Sequence, residues 1–145
     1  MITRVLWRQT MLAAACSLLH VAFTANAQSP ASIGGRTIQM TITSGTFPFA
    51  TSGAYRFLPS AVDGTYAIVP ISGDVDPSTG THAYTKTGAN TAALVVMDND
   101  LGALTATCTF STANAGSYLL TGAAAPGASQ FGTFVLYAGP SQATI

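Results

Sequence analysis

From Ala103 to Phe110 the chain alternates without a break. Leu104, Ala106, Cys108 and Phe110 fall on one side, and Thr105, Thr107 and Thr109 fall on the other. A period of two is the signature of a strand with one buried face. In a helix the same apolar residues would be scattered around the axis, since neighbours on one face there lie three or four apart. The pattern recurs upstream, where Ile38, Met40 and Ile42 alternate with Thr37, Gln39 and Thr41. Between His82 and Tyr118 it repeats through three strands and the start of a fourth, with Gly, Asn and Asp at the breaks.

The same reading along the chain predicts eight strands: 36–43, 54–58, 65–69, 82–87, 91–97, 103–110, 117–121 and 131–137. Tyr55 and Phe57 share a face of the second, and Tyr66 and Ile68 share a face of the third. Pro59 and Pro70 are expected to end those two strands, because proline cannot donate to a ladder. Asp63-Gly64 marks a turn. Residues 28–35 read as a flexible start, 71–81 as a polar loop and 138–145 as a loose tail. Sequential strands usually pair, so the expected fold is all-β: one antiparallel meander closed into a small barrel, which removes exposed edges. Eight strands leave an interior wide enough for side chains or one small ligand.

The N-terminus has a different character. Arg4 and Arg8 precede an apolar run from about Met11 to Phe23, followed by Ala25-Asn26-Ala27. These are the parts of a secretory signal peptide with cleavage after Ala27. The run is shorter than the ~20 residues of a spanning helix. A lipoprotein reading through Cys16 fits less well, because the apolar run continues past it. The expected organisation is a signal peptide over residues 1–27 and a single domain over 28–145, exported to the periplasm or beyond the cell.

That domain holds Arg36, Arg56 and Lys86 against Asp63, Asp74, Asp76, Asp98 and Asp100, a net charge of about −2. No basic surface of the kind that binds nucleic acid can be built from three bases. Cys108 is its one cysteine, so no internal disulfide forms and the core alone must hold the fold. Cys108 shares its face with Leu104 and Phe110 and reads as a buried small hydrophobe.

Candidate chemistry is sparse. Asp74-Val75-Asp76-Pro77-Ser78-Thr79-Gly80 has the density of acids of a calcium loop, but an EF-hand needs Gly at its sixth position and Glu at its twelfth. Thr79 and Thr85 stand there, so a solvated turn is expected, as at Asp98-Asn99-Asp100. His82 is the one histidine after Ala27, with no nucleophile placed beside it by spacing. It is expected on a strand face with Tyr84 and Lys86, at the rim or surface. One His, one Cys and scattered Asp make a poor zinc site. Strands of five to eight residues with Thr at many positions do not suit an outer-membrane barrel.

Gly80, Tyr84, Gly88, Asn90, Thr91, Ala92 and Leu94 form one cluster of recurring positions. Leu104, Thr105, Phe110, Ser111, Gly116 and Tyr118 form a second, and Gly132 and Phe134 a third. In this the chain, from about Gly80 to Leu136, resembles the Thr-rich, calycin-like (lipocalin-like) barrel domains of exported bacterial proteins. The resemblance implies a structural motif of turn glycines and inward aromatics. It implies no catalytic residue.

Two Phe in the loop Ser44 to Gly53 need burial, either as a plug for one end of the core or as a lid over a cavity. The expected function is therefore an exported, non-enzymatic barrel holding a small apolar ligand in its interior, with Phe47, Phe49, Tyr55, Phe57 and Tyr66 as the ligand-binding candidates. No catalytic residue, metal or cofactor is expected, nor any integral membrane segment once the signal is cleaved. The alternative is a structural or surface-interaction domain with a filled core. A continuous cavity of ~300 Å³ or more would favour the ligand, and normal packing density the alternative.

Overall fold

The computed structural model describes residues 27–139, and each alternating stretch within them is a strand. The order is β1 (Thr37–Gly45), β2 (Gly53–Pro59), β3 (Thr65–Gly73), β4 (Ser78–Lys86), β5 (Thr91–Asp98), β6 (Gly102–Thr112), β7 (Ala115–Gly122) and β8 (Ser129–Tyr137). Each pairs antiparallel with the next, and β1 returns to β8, so the meander closes into one barrel. The expected fold class is the observed one, an architecture shared with calycin-like barrels. The expected signal peptide lies outside the described residues except for Ala27, as does the expected tail beyond residue 139.

Closure separates inside from outside. Ile38, Met40, Tyr55, Phe57, Leu94, Leu104, Cys108, Phe110, Tyr118 and Phe134 point inward and are buried, while the intervening Thr41, Thr105, Thr107, Thr109 and Thr133 are exposed. The interior is apolar, and the outer wall mixes these Thr with exposed apolar residues such as Val95, Leu119, Phe131 and Val135.

The register explains the recurring glycine-aromatic spacing. Gly116 pairs with Phe134 and Tyr118 pairs with Gly132, so each ring on β7 or β8 lies over the glycine opposite. A Cβ on Gly132 would come within 2.8 Å of the Tyr118 ring, and one on Gly116 within 2.8 Å of the Phe134 ring. Both would also strike a carbonyl of the neighbouring strand at 2.1 Å. These glycines exist for close approach. They let Tyr118, which is 1 % exposed, and Phe134 lie flat across the interior, where Phe134 meets Phe110 edge to face at 4.9 Å.

Two expectations are corrected. Residues 28–35 are not a flexible start. The segment crosses the end of the barrel formed by the β2–β3, β4–β5 and β6–β7 turns and seals it. Ser29 N–H donates to the Ala89 carbonyl at 2.9 Å, and its hydroxyl donates to the Gly88 carbonyl at 3.1 Å. Tyr84 Oη donates to the Pro30 carbonyl at 3.0 Å, and Ile33, 2 % exposed, enters the core. The one large apolar residue in a Gly/Ser/Pro-rich stretch is buried, together with Ser29.

Nor does Pro70 end the third strand, and 71–81 is not a loop. β3 runs on to Gly73 and β4 begins at Ser78, leaving only the link 74–77. Pro70 is tolerated because β3 there has a partner on one side only. It pairs with β2 along its length, beside a bulge at Ala54/Tyr55, but with β4 only from Thr65–Thr81 to Ile68–Ser78. Pro59 does end β2.

Cys108 is 8 % exposed among Leu94, Phe110 and Phe134, and burial pushes its thiol up to about 11. It should resist thiol reagents in the folded protein, and Cys108→Ser should cost about 1–3 kcal/mol by burying a hydroxyl without a partner. Stoichiometric labelling of the native protein within seconds would contradict the packing described.

Candidate functional site

The end of the barrel opposite the Ile33 seal carries the β1–β2 link 46–52, the β3–β4 link 74–77, the β5–β6 turn 99–101 and the β7–β8 link 123–128. It is only partly closed. β3 and β4 separate beyond Ile68–Ser78, and the space between them is a cleft of about 210 Å³. Phe49, Tyr55, Ile68, Leu104 and Leu120 form its apolar walls. A smaller void of about 40 Å³ lies beneath it, sharing Tyr55, Ile68, Leu104 and Leu120 and reaching Phe57 and Tyr66. A larger hollow of about 880 Å³ lies against Leu58, Thr65, Ala67 and Thr79, but these belong to the outer wall, with no buried polar group among them.

The five residues expected to contact a ligand are divided by the fold. Tyr55 and Phe49 line the cleft, and Phe57 and Tyr66 line the void below it. Phe57 and Tyr66 stack at 4.7 Å, which fills much of the barrel's centre. Phe47 is elsewhere: it is 91 % exposed, whereas Phe49, two residues on, is 5 % exposed. The loop thus acts through one ring. It is held down by Thr46 N–H to the Ser129 carbonyl at 2.9 Å, Ser129 N–H to Thr46 Oγ1 at 2.9 Å and Gln130 Nε2 to the Ala50 carbonyl at 3.1 Å.

Two polar groups organise the cleft; the sequence marked Asp98 only as a turn residue and did not mark Gln130. Gln130 is 4 % exposed. Its Oε1 accepts from Tyr118 Oη at 2.9 Å and Tyr55 Oη at 3.3 Å, so one amide joins β2, β7, β8 and the β1–β2 loop. Burial pushes the Tyr118 phenol up to about 12 and the Tyr55 phenol well above its ordinary value, so both are donors at neutral pH. Asp98, 5 % exposed, closes β5. Its Oδ2 accepts from Tyr66 Oη at 2.5 Å and Ser78 Oγ at 2.6 Å, and its Oδ1 accepts the N–H groups of Asp100 at 2.9 Å and Leu101 at 3.0 Å. Burial pushes its carboxyl up, but the hydrogen bonds from Ser78, Tyr66 and the two amides outweigh it and hold it below the ordinary carboxylate range. Asp98-Asn99-Asp100 is thus the hairpin turn expected, with Asp98 also pinning β3 and β4 together where their pairing stops.

Both residues had a signal. Asp98 continues the inward row Ala92, Leu94, Val96, and Gln130 begins the inward row Gly132, Phe134, Leu136. A polar residue in phase with a buried row needs partners. His82 also lies on an inward row, half-buried, with Nδ1 3.0 Å from the Thr65 carbonyl oxygen and its ring edge-on to Phe57 at 6.1 Å. It fills the gap between β3 and β4 toward the sealed end. Among the described residues no three His, Cys, Asp or Glu side chains converge as metal ligands.

No protein-family model matches the chain, and no curated protein or solved structure is significantly similar to it.

The Asp98 carboxylate should make the fold acid-sensitive. Its folded pKa lies below the unfolded value of about 3.9, so the stability it confers is in place above that value and is lost as pH falls through the folded pKa. Asp98→Asn should cost about 1–3 kcal/mol at neutral pH. It should also flatten the fall in stability between about pH 5 and pH 2. Denaturant titrations of both proteins across that range check this; parallel pH profiles would show that Asp98 is not the group responsible.

Proposed function

We propose that this is an exported, non-enzymatic barrel of calycin-like kind that holds a small ligand with an apolar body in the cleft at its open end. The observation that carries the reading is the contrast between the two ends. One is sealed by Ile33 and the Ser29 hydrogen bonds, and the other leaves a cleft of about 210 Å³ walled by Phe49, Tyr55, Ile68 and Leu104. Buried apolar walls with a few fixed polar groups are the usual make-up of a ligand pocket. Export rests on the leader-like N-terminus, and kinship with calycin-like barrels rests on the glycine-aromatic spacing and the closed eight-stranded meander.

The ligand is small. Phe57, Tyr66, Tyr118 and Phe134 fill the middle of the barrel, and the void there is about 40 Å³. Cleft and void together stay below the ~300 Å³ at which drug-sized pockets begin. Binding therefore belongs at the mouth, with only the tip of the ligand reaching inward between Leu104 and Leu120. The same filling favours the second reading, a structural or surface-interaction domain without a ligand. A catalytic reading has little to draw on, since the His82 imidazole is engaged with a backbone carbonyl and no nucleophile stands beside it.

Native mass spectrometry of the purified mature protein separates the readings. A ligand-binding barrel should carry a bound small molecule, lost on Phe49→Ala and retained on Phe47→Ala. Phe47→Ala should leave stability within about 0.5 kcal/mol, whereas Phe49→Ala should cost about 3–5 kcal/mol. A bare chain mass, with no small molecule retained from the producing cells and none taken up from an extract, would favour the filled structural domain.

A further inference from the structure

Gln130 lines the mouth cleft and is only 4 % exposed, yet the protein satisfies its amide only in part. The orientation of that amide is fixed by its neighbours. Nε2 lies 3.1 Å from the Ala50 carbonyl oxygen, and Oε1 lies 2.9 Å from the Tyr118 hydroxyl and 3.3 Å from that of Tyr55. The flipped amide would set two acceptors against each other at Ala50. Oε1 thus has both lone pairs engaged. Nε2 carries two hydrogens, and only the one given to Ala50 has an acceptor among the described residues.

The other side-chain donors in the lining are Tyr55 and Ser78, and both are occupied. Tyr55 Oη donates to Gln130 and Ser78 Oγ donates to Asp98. The second Nε2 hydrogen is therefore the donor that these side chains leave for a ligand, and a buried N–H without an acceptor is costly. An acceptor can reach it from the cleft, which Gln130 lines; the void beneath is lined by Tyr55 and Tyr118 without it. The surroundings of the donor are apolar. Leu120 stands opposite Gln130 across the β7–β8 ladder, and Phe49 and Leu104 complete the wall. A carboxylate on the ligand would share this cleft with the ionised Asp98, as like charges in a poorly screened space. A carbonyl accepts the hydrogen bond without that repulsion, and it brings no hydrogen that needs a partner of its own.

We propose that the ligand of the mouth cleft is an uncharged carbonyl compound with a short apolar chain, a ketone or an ester, whose oxygen accepts the second Nε2 hydrogen of Gln130. The inference rests on the ligand-binding reading above and adds to it the group that is recognised. The apolar chain lies against Phe49, Leu104 and Leu120. Gln130 then joins the ligand to the β1–β2 loop through Ala50 and to the barrel interior through Tyr118.

The test uses two probes of the same shape, 2-pentanone and 2-methyl-1-pentene, in which a methylene replaces the carbonyl oxygen. Each is added to the unaltered mature protein until the methyl resonances of Leu104 and Leu120 stop shifting. The readout is the pair of side-chain amide proton resonances of Gln130, assigned through their contacts with Tyr55 and Tyr118. Both probes should move the leucine methyls. One Gln130 proton should lie further downfield in the ketone complex than in the alkene complex and exchange more slowly with water, while the proton bonded to Ala50 stays in place. Equal positions of both protons in the two complexes would overturn the recognition of a carbonyl and leave the apolar cleft standing. Leucine methyls unmoved by either probe would overturn the ligand reading itself.

Discussion

The pairing of β1 with β8 is the constraint on which the rest depends. It runs from Thr37–Tyr137 to Gly45–Gln130, and it turns a sheet with two open edges into a wall with a definite inside. Without it, the Ile38–Met40–Ile42 row would have nothing opposite to cover it. The register slips once, between Ile42 and Ser44, where a bulge admits an extra residue. That slip sets Gly45 against Gln130, which places the glutamine amide at the mouth and brings Thr46 to Ser129. The loop that carries Phe49 is therefore positioned by the closure, and the cleft inherits its geometry from the far side of the barrel.

The opposite side is where closure is weakest. β3 leaves β4 after Ile68–Ser78, and side chains reinforce both ends of their short pairing. At the mouth, Asp98 gathers hydroxyls from Tyr66 on β3 and Ser78 on β4. Toward the sealed end, His82 reaches the Thr65 carbonyl and packs on Phe57. The cleft exists because the strands part, and it stays a cleft because Asp98 stops the parting from running through the core. Stability and access are set by the same residues, an arrangement that places the least stable part of the fold where a binding site needs freedom.

Most of the wall was legible in the sequence. Eight strands were expected, the first and sixth from clean apolar/Thr alternation and others from paired apolar residues bounded by turn signals, and Cys108 and Phe110 lie on the inward row where their phase puts them. The misreadings share a cause. Pro70 and the polar run after it look like a strand end, but proline is excluded only where both sides of a strand are paired, and which strand lacks a neighbour is a property of the closed sheet. Residues 28–35 look flexible because little local order is visible in their sequence; Ser29 is held by the β4–β5 turn 59 residues away, and Ile33 is buried against core side chains. Of the candidate site, the rings Phe49, Tyr55, Phe57 and Tyr66 were legible, and the distinction between Phe47 and Phe49 was not. Which of two alternating rings turns inward depends on the loop's tie to β8. Gln130 and Asp98 were within reach, since a polar residue in phase with a buried row announces a network, but their partners lie on strands that only closure brings near.

The claim at the centre is that the barrel is firm along β1–β8 and parts between β3 and β4 to make the mouth cleft. Residue-resolved amide hydrogen exchange of the folded protein measures this most directly. The account predicts that amides of Ile38 to Ile42 and Gly132 to Leu136 exchange only through global unfolding. Those between Val69 and Gly73 should exchange far faster, through local opening, and should slow when a ligand fills the cleft. Equal protection on both sides of the barrel would contradict it, because β3 and β4 would then be joined along their whole length and the cleft would have no opening.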